Sequence, residues 1–471
     1  MTRTKCNRFL LSALQSQGVL CSSADALAWL QARCNEVHVK IDPVRLSAMS
    51  DWYMDEDQGR IRHRSGKFFS IDGIKVSTNV GNVPQWHQPI INQPEIGYLG
   101  CIVKEFDGVL HFLVQAKIEP GNVNVVQLSP TLQATKSNYT RAHKGKAPKF
   151  LEYFNGAGKS KVLLDQLQSE QGARFLNKRN RNIIVEVTED IPYDKDFRWL
   201  TLGQIKQLTT FDNVVNMDLR TVISGIPFDG CDASSLEFWE RMVELNDPFK
   251  MGMLVSAVDH RRAHLQLDEI ISWFTDLKAR SEIEVSREHL RALSGWQLSD
   301  EGIRHQDGLY FDVRWVNVEI ENREVSRWQQ PLVAPQQQGL IAFVIKKIKG
   351  VYHFLVQAKM ECGNFDILEF APTVQCITGS YRDSLDKLPF LKYVLGAAPE
   401  QIRFDAMQSE EGGRFYHEQN RNMIIEAGQD FPVEVPANFQ WMTLHQLLNF
   451  IRFNNYLNIQ ARGLLSGVRF A

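Results

Sequence analysis

Hydrophobic and polar positions along this chain fall into short periodic runs. From Val109 to Ile118 they alternate: Phe112, Val114, Ala116 and Ile118 face one way, and His111, Leu113, Gln115 and Lys117 the other. Period two marks a strand, here with one wholly apolar face. Gly121-Asn122 is a turn signal, and Val123 to Leu128 reads as the next strand, joined by a hairpin or a bulged connection. Apolar residues at 163, 164 and 167 predict a short helix over Leu163 to Leu167 that ends at Gly172. Asn182 to Val187 predicts a further strand, and Trp199 to Leu208 a closing helix capped by Thr201. This order predicts an α+β fold, a mixed sheet flanked by helices.

The same pattern occurs twice. His111-Phe-Leu-Val-Gln-Ala-Lys117 recurs as His353-Phe-Leu-Val-Gln-Ala-Lys359. Around it, Glu119, Gly121 and Asn122 pair with Glu361, Gly363 and Asn364, and Trp86, Gln88 and Pro89 with Trp328, Gln330 and Pro331. Gln168-Ser-Glu-Gln-Gly172 pairs with Gln408-Ser-Glu-Glu-Gly412, Arg174 and Phe175 with Arg414 and Phe415, and Asn180-Arg-Asn182 with Asn420-Arg-Asn422. The offset stays between 240 and 244 in a chain of 471 residues. Two homologous domains are expected, over 1–235 and 236–471, and the period is far too long for a solenoid.

Composition adds exclusions. Hydrophobic residues make up 44% and charged residues 23%, ordinary globular proportions that exclude disordered and collagen-like classes. A formal net charge of -2 argues against a bulk nucleic-acid binder. The apolar patch from Phe9 to Leu14 is interrupted by Gln15 and Gln17, too short for a signal core or a membrane span. Seven scattered cysteines, with no CxxC pair and no zinc spacing, read as reduced cytoplasmic thiols. Gly156-Ala-Gly-Lys-Ser160 imitates the tail of a phosphate loop, but Tyr153 stands where the first glycine belongs and the second copy has no lysine.

The doubled motif H-F-L-V-Q-A-K, then E-x-G-N, then P-T-x-Q, then Q-S-E-x-G-x-R-F and N-R-N resembles the NDP-hexose 2,3-dehydratase family, from about Trp29 to the C-terminus. The resemblance implies a duplicated Nudix-like domain, a homodimer and a role in deoxysugar biosynthesis. A Nudix metal box would place glutamates on one helix. Aligned on Gly172 and Gly412, only Glu170 and Glu410 remain, with Gln166 and Ser169, and Ala406 and Ser409, at the other positions. A hard divalent cation needs several anionic oxygens, so no metal and no cofactor are expected.

The resemblance further implies a TDP-linked 4-keto-6-deoxy sugar as substrate. Its C4 ketone acidifies the C3 proton; a base removes that proton, an acid assists loss of the C2 hydroxyl, and the enol tautomerises to a 3,4-diketo-2,6-dideoxy sugar. A 3-ketoreductase would consume that product. The protein must supply a base, an acid, enolate stabilisation and a diphosphate clamp. Glu119, Tyr139 and His87 are the candidates for acid and base. Glu119 follows the strand beside a turn, against the alternative of a solvated turn carboxylate. Tyr139 lies in a basic loop expected to lower its pKa. His87 has Gln329 as its twin, a difference expected of a single active half, whereas His111 reads as a structural strand histidine and Glu186 as an arginine partner. Arg141 and Lys144, in an acid-free loop with Lys136, Lys146 and Lys149, are clamp candidates or a solvated face; Arg174 and Arg414 are ligand contacts or structural ion pairs. Trp86 and Trp328 are candidates to stack on a pyrimidine, or core residues, and Tyr381 is the twin of Tyr139. The counterpart loop carries Arg382 and Lys387 beside Asp383 and Asp386, so the chemistry is expected in the first half. The rivals are a metal-dependent Nudix diphosphohydrolase and a non-catalytic nucleotide-sugar binding protein; neither a membrane nor a nucleic-acid partner is expected.

Overall fold

The computed structural model describes residues 5–139, 147–156, 158–228, 247–321, 325–377 and 385–470. Each half builds a seven-stranded sheet on the alternating segments. In the first, Lys161–Ser169, Arg179–Glu186, Gly97–Phe106, Val109–Ile118 and Phe197–Thr201 lie side by side, with Val126–Ser129 and Leu132–Ala134 attached. Its twin runs through Ile402–Ser409, Gln419–Glu426, Gly339–Ile348 and Val351–Lys359 in the same order. Both sheets are mixed: Arg179–Glu186 runs parallel to Gly97–Phe106, and Gln419–Glu426 parallel to Gly339–Ile348, among antiparallel neighbours. This is the expected α+β duplication.

The strand Val109–Ile118 is present as predicted, yet its other side is largely covered too, with His111 fully inaccessible and Gln115 and Lys117 half-buried. Phe112 and Val114 face a large core shared by both halves, while Leu113 joins a second cluster with Ile102, Ile183 and Trp199. With both faces covered, alternation no longer separates inside from outside. The following strand starts at Val126 rather than Val123, because residues 119–125 form a longer loop. Thr201 caps its helix as expected, accepting from the Gln204 N–H, but the helix is Leu202–Leu208 and Trp199 belongs to the preceding strand.

The predicted helix at Leu163–Leu167 is wrong. The segment is the strand Lys161–Ser169, antiparallel to Arg179–Glu186, with a bulge between Val162 and Leu164. A bulge puts two consecutive residues on one face, so Leu163 and Leu164 are both buried and the spacing imitates a helix. The second copy repeats the error-maker, with a bulge between Ile402 and Phe404. The metal-box comparison assumed a helix here; Glu170 and Glu410 instead follow strands, at the start of turns.

The two halves interpenetrate. Val39–Pro43 of the first completes a five-stranded sheet of the second, beside Phe311–Ile320, while Ile283–Glu288 of the second completes a six-stranded sheet of the first, beside Ser70–Thr78. Phe175 and Phe415 meet edge to face, 5.8 Å apart. About this pair the E-x-G-N turn of each half enters the Q-S-E-x-G turn of the other. The Gly121 N–H donates to the Gly412 carbonyl at 2.7 Å, and the Gly363 N–H to the Gly172 carbonyl at 2.7 Å. Buried arginines cross likewise: Arg462 donates to the Ser169 carbonyl and Arg220 to the Ser409 carbonyl. Buried backbone polar groups need partners, and the doubled motifs supply them reciprocally. Among the described residues no helix is long and apolar enough to cross a membrane.

Candidate active site

A cavity of about 600 Å³ opens where the first-half sheet meets the second half's Glu410–His417 turn. The strand Val109–Ile118 delivers Lys117 and, just past its end, Glu119. The Gln133 amide donates to Glu119 at 2.8 Å, and the Asn216 amide in turn donates to the Gln133 side-chain oxygen at 3.2 Å. Asn216 also caps the helix Met217–Ser224, accepting from the Leu219 N–H at 2.9 Å, so the cap fixes the amide that holds Glu119. Asp218, in the first turn of that helix, is buried and lines the cavity. Glu170 accepts from the Asn180 amide at 2.6 Å, and Lys178 donates to the Glu95 carbonyl.

The second half closes the cavity with Trp328, Glu411, Gly413 and Arg414. The Gly413 N–H donates to Glu411 at 3.1 Å. A Cβ placed on Gly413 would fall 2.3 Å from one Glu411 carboxyl oxygen and 3.3 Å from one of Glu119, so the two carboxyls converge on one point. Arg414 donates from Nε to Gln93 at 3.0 Å and lies over the Phe69 ring at 4.2 Å. Trp328 is oriented by an Nε1–H bond of 2.7 Å to Gln330, which donates to the Gly413 carbonyl at 2.8 Å.

Burial and crowding keep protons in this chamber. Asp218 is raised well above the usual carboxylate range, first by burial and then by Glu411, Glu170 and Glu119. Glu411 is pushed up to about 8 by burial and by Glu119, with Arg414 opposing. Burial also raises Glu170, against Lys178 and Arg462, and lowers Lys178, against Glu95 and Glu170. Carboxyls held neutral near neutral pH can donate a proton or a hydrogen bond.

Of the residues singled out from the sequence, Glu119, Lys149, Glu170, Trp328 and Arg414 line this cavity. His87 and Tyr139 do not. His87 sits 2.5 Å from Glu288, on the strand beside Ser70–Thr78. Tyr139 donates to the Ile96 carbonyl at 3.3 Å, and its pKa is raised, not lowered, by burial and by Tyr98 and Glu95. Trp86 and Arg174 occupy the matching places in the other half, where Trp86 donates to Gln88 at 2.9 Å and Arg174 lies 4.1 Å over Phe311. Arg141, Lys144 and Tyr381 lie outside the described residues. Lys149 pairs with Asp194, and Glu186 with Arg8. Asp218, Glu411 and Lys178 were missed. Their signal was present: their twins are Gln460, Gln171 and Glu418.

A cavity with converging carboxyls, built by both halves of a duplicated α+β chain, is equipment for acid–base chemistry on a bound small molecule. The comparisons with known proteins identify the group. The NDP-hexose 2,3-dehydratase family model matches residues 23–226 and again 267–468, and the chain belongs to that family. It is 46% identical over 464 residues to a dTDP-4-dehydro-6-deoxy-alpha-D-glucopyranose 2,3-dehydratase of Saccharopolyspora spinosa, covering 98% of this chain and 94% of that one. Enzymes of the same name from Streptomyces violaceoruber and Amycolatopsis orientalis are 43% and 40% identical, over 94% and 99% of this chain and 96% and 94% of theirs.

Proposed function

We propose that this chain is a lyase that removes the C2 hydroxyl of a TDP-linked 4-keto-6-deoxyhexose. The observation that carries the reading is the convergence of Glu119 and Glu411 in a cavity of about 600 Å³, a size within the usual span of small-molecule pockets, about 300–1,000 Å³. Glu119, aimed by Gln133 and Asn216, takes the C3 proton. Lys117 and Lys178 face the C4 oxygen as the enolate develops. Trp328 offers a ring to the pyrimidine and Arg414 a charge to the diphosphate, with Arg141 and Lys144 as further clamp candidates. His87 and Tyr139 have no part in this reading, because neither lines the cavity. Trp86 and Arg174 belong to the second half's counterpart.

The reading keeps a Nudix-like module for each half, over 1–235 and 236–471, and a cytoplasmic homodimer that hands its unstable diketone to a 3-ketoreductase. The test is incubation with TDP-4-keto-6-deoxyglucose, with and without a 3-ketoreductase to trap the product, followed by mass spectrometry. A reduced 2,6-dideoxy product is expected. Release of TMP or hexose phosphate would favour the hydrolase, and unchanged substrate a binding protein.

A further inference from the structure

We propose that Glu411, a residue of the second half, is the acid that protonates the C2 hydroxyl as it departs in the first half's cavity. The inference rests on the dehydratase reading above and assigns its leaving-group step.

Comparison of twin positions carries the argument. Most polar groups around the cavity are the same in both halves: Glu119 and Glu361, Gln133 and Gln375, Glu170 and Glu410, Asn216 and Asn458. The Asn–Gln–Glu chain even repeats its bonds, at 2.7 Å from Asn458 to Gln375 and 2.7 Å from Gln375 to Glu361. These shared groups serve what both halves do. Of the lining carboxyls, Asp51 and Asp196 answer to Gly295 and Asn438, and two more have glutamine twins. Glu411 answers to Gln171, and Asp218 to Gln460. Glutamine matches glutamate in shape and still accepts hydrogen bonds, but it cannot deliver a proton. The first cavity therefore differs from its counterpart in transferable protons.

Geometry separates the two carboxyls. Elimination takes H from C3 and OH from C2, adjacent atoms, so base and acid must stand close together. Glu411 meets this requirement, since its carboxyl and that of Glu119 flank the same point beside Gly413. Their carriers also form one unit: the turn after Glu119 is bonded to the turn bearing Glu411 through Gly121 N–H to Gly412 O at 2.7 Å and His417 N–H to Gly121 O at 2.9 Å. Burial and the neighbouring Glu119 keep Glu411 protonated at neutral pH.

The step balances. Glu119 accepts the C3 proton, and the C3–H electron pair forms C3=C4 as O4 takes the charge. Collapse restores C4=O, forms C2=C3 and breaks C2–O. The oxygen takes the Glu411 proton and leaves as water, and the C3 enol tautomerises to the ketone. No oxidant or reductant is required.

The test uses the full-length enzyme in D2O with the TDP-4-keto sugar. For Glu411→Gln, kcat for elimination should fall about 10²–10⁴-fold, the usual worth of a positioned acid, with KM little changed. Recovered substrate should still gain deuterium at C3 at the wild-type rate, because the base is intact. Glu119→Gln should lose both exchange and elimination. A 2-deoxy-2-fluoro substrate, whose leaving group needs no proton, should restore turnover to Glu411→Gln. If that variant does not fold, the readout moves to Glu411→Asp, where elimination should slow while exchange persists. Equal loss of exchange and elimination in the folded variant, or elimination within tenfold of wild type, would overturn the assignment. Failure of the wild type itself to form product would instead overturn the dehydratase reading.

Discussion

The junction between the halves makes a strong claim about Gly121. A Cβ there would fall 1.6 Å from the Phe415 carbonyl oxygen and 2.8 Å from that of Gly412. Both are main-chain atoms, so no side-chain rotamer relieves the clash; the turn must retreat by roughly 1.5 Å to regain ordinary contact. Retreat breaks the 2.7 Å bond from Gly121 to Gly412 and the 2.9 Å bond from His417 to Gly121. Overpacking costs about 1–3 kcal/mol, and each buried polar group left unpaired about 1–3 kcal/mol. Counting one unpaired group for each broken bond, Gly121→Ala should therefore destabilise the chain by about 3–9 kcal/mol. Gly428→Ala is the control, because its added methyl meets nothing within 4 Å and should change stability by less than about 0.5 kcal/mol. Guanidinium unfolding followed by tryptophan fluorescence measures both. The folded fraction of Gly121→Ala should also lose turnover, since the retreat parts the turn that follows Glu119 from the turn that carries Glu411 and Arg414. A Gly121→Ala variant as stable as the Gly428→Ala control would refute the interlocked junction.

Gly413→Ala should fold, because the atoms it meets are carboxyl ends that can swing aside, but the Glu411 oxygen 2.3 Å away must move; kcat should fall at least tenfold with near-native stability by the same unfolding assay. Arg414→Ala should raise KM by about 10–100-fold, the worth of a charge-assisted contact, with a smaller effect on kcat; a change in kcat alone would place Arg414 elsewhere. Glu411 is faced by Glu119, Glu170, Asp218 and Arg414 and is raised to about 8, so as an acid it works protonated. Turnover should hold below that pH and fall as pH rises through it, and the residual rate of Glu411→Gln should lack this limb in a pH profile.

The duplication, the mixed α+β class and the family motifs were legible in the residues because they are periodicities and identities within one chain. Val109–Ile118 showed its strand because alternation over ten residues is a local signal. The strand Lys161–Ser169 hid as a helix because a bulge changes which residues share a face, and hydrogen bonding to Arg179–Glu186 imposes that bulge from a distance. Glu119 was readable from its place at a strand end. Its acid partner was not, because Glu411 lies 292 residues further along and reaches Glu119 only where the E-x-G-N turn of one half enters the glycine turn of the other. His87 and Tyr139 looked right by residue type and neighbourhood in sequence, but sheet pairing turns His87 toward Glu288, and Tyr139 settles on the Ile96 carbonyl. Composition and spacing set which groups were present and where each strand ended. The exchange of strands and turns between halves decided which carboxyls face each other, and burial there decided which of them keep a proton.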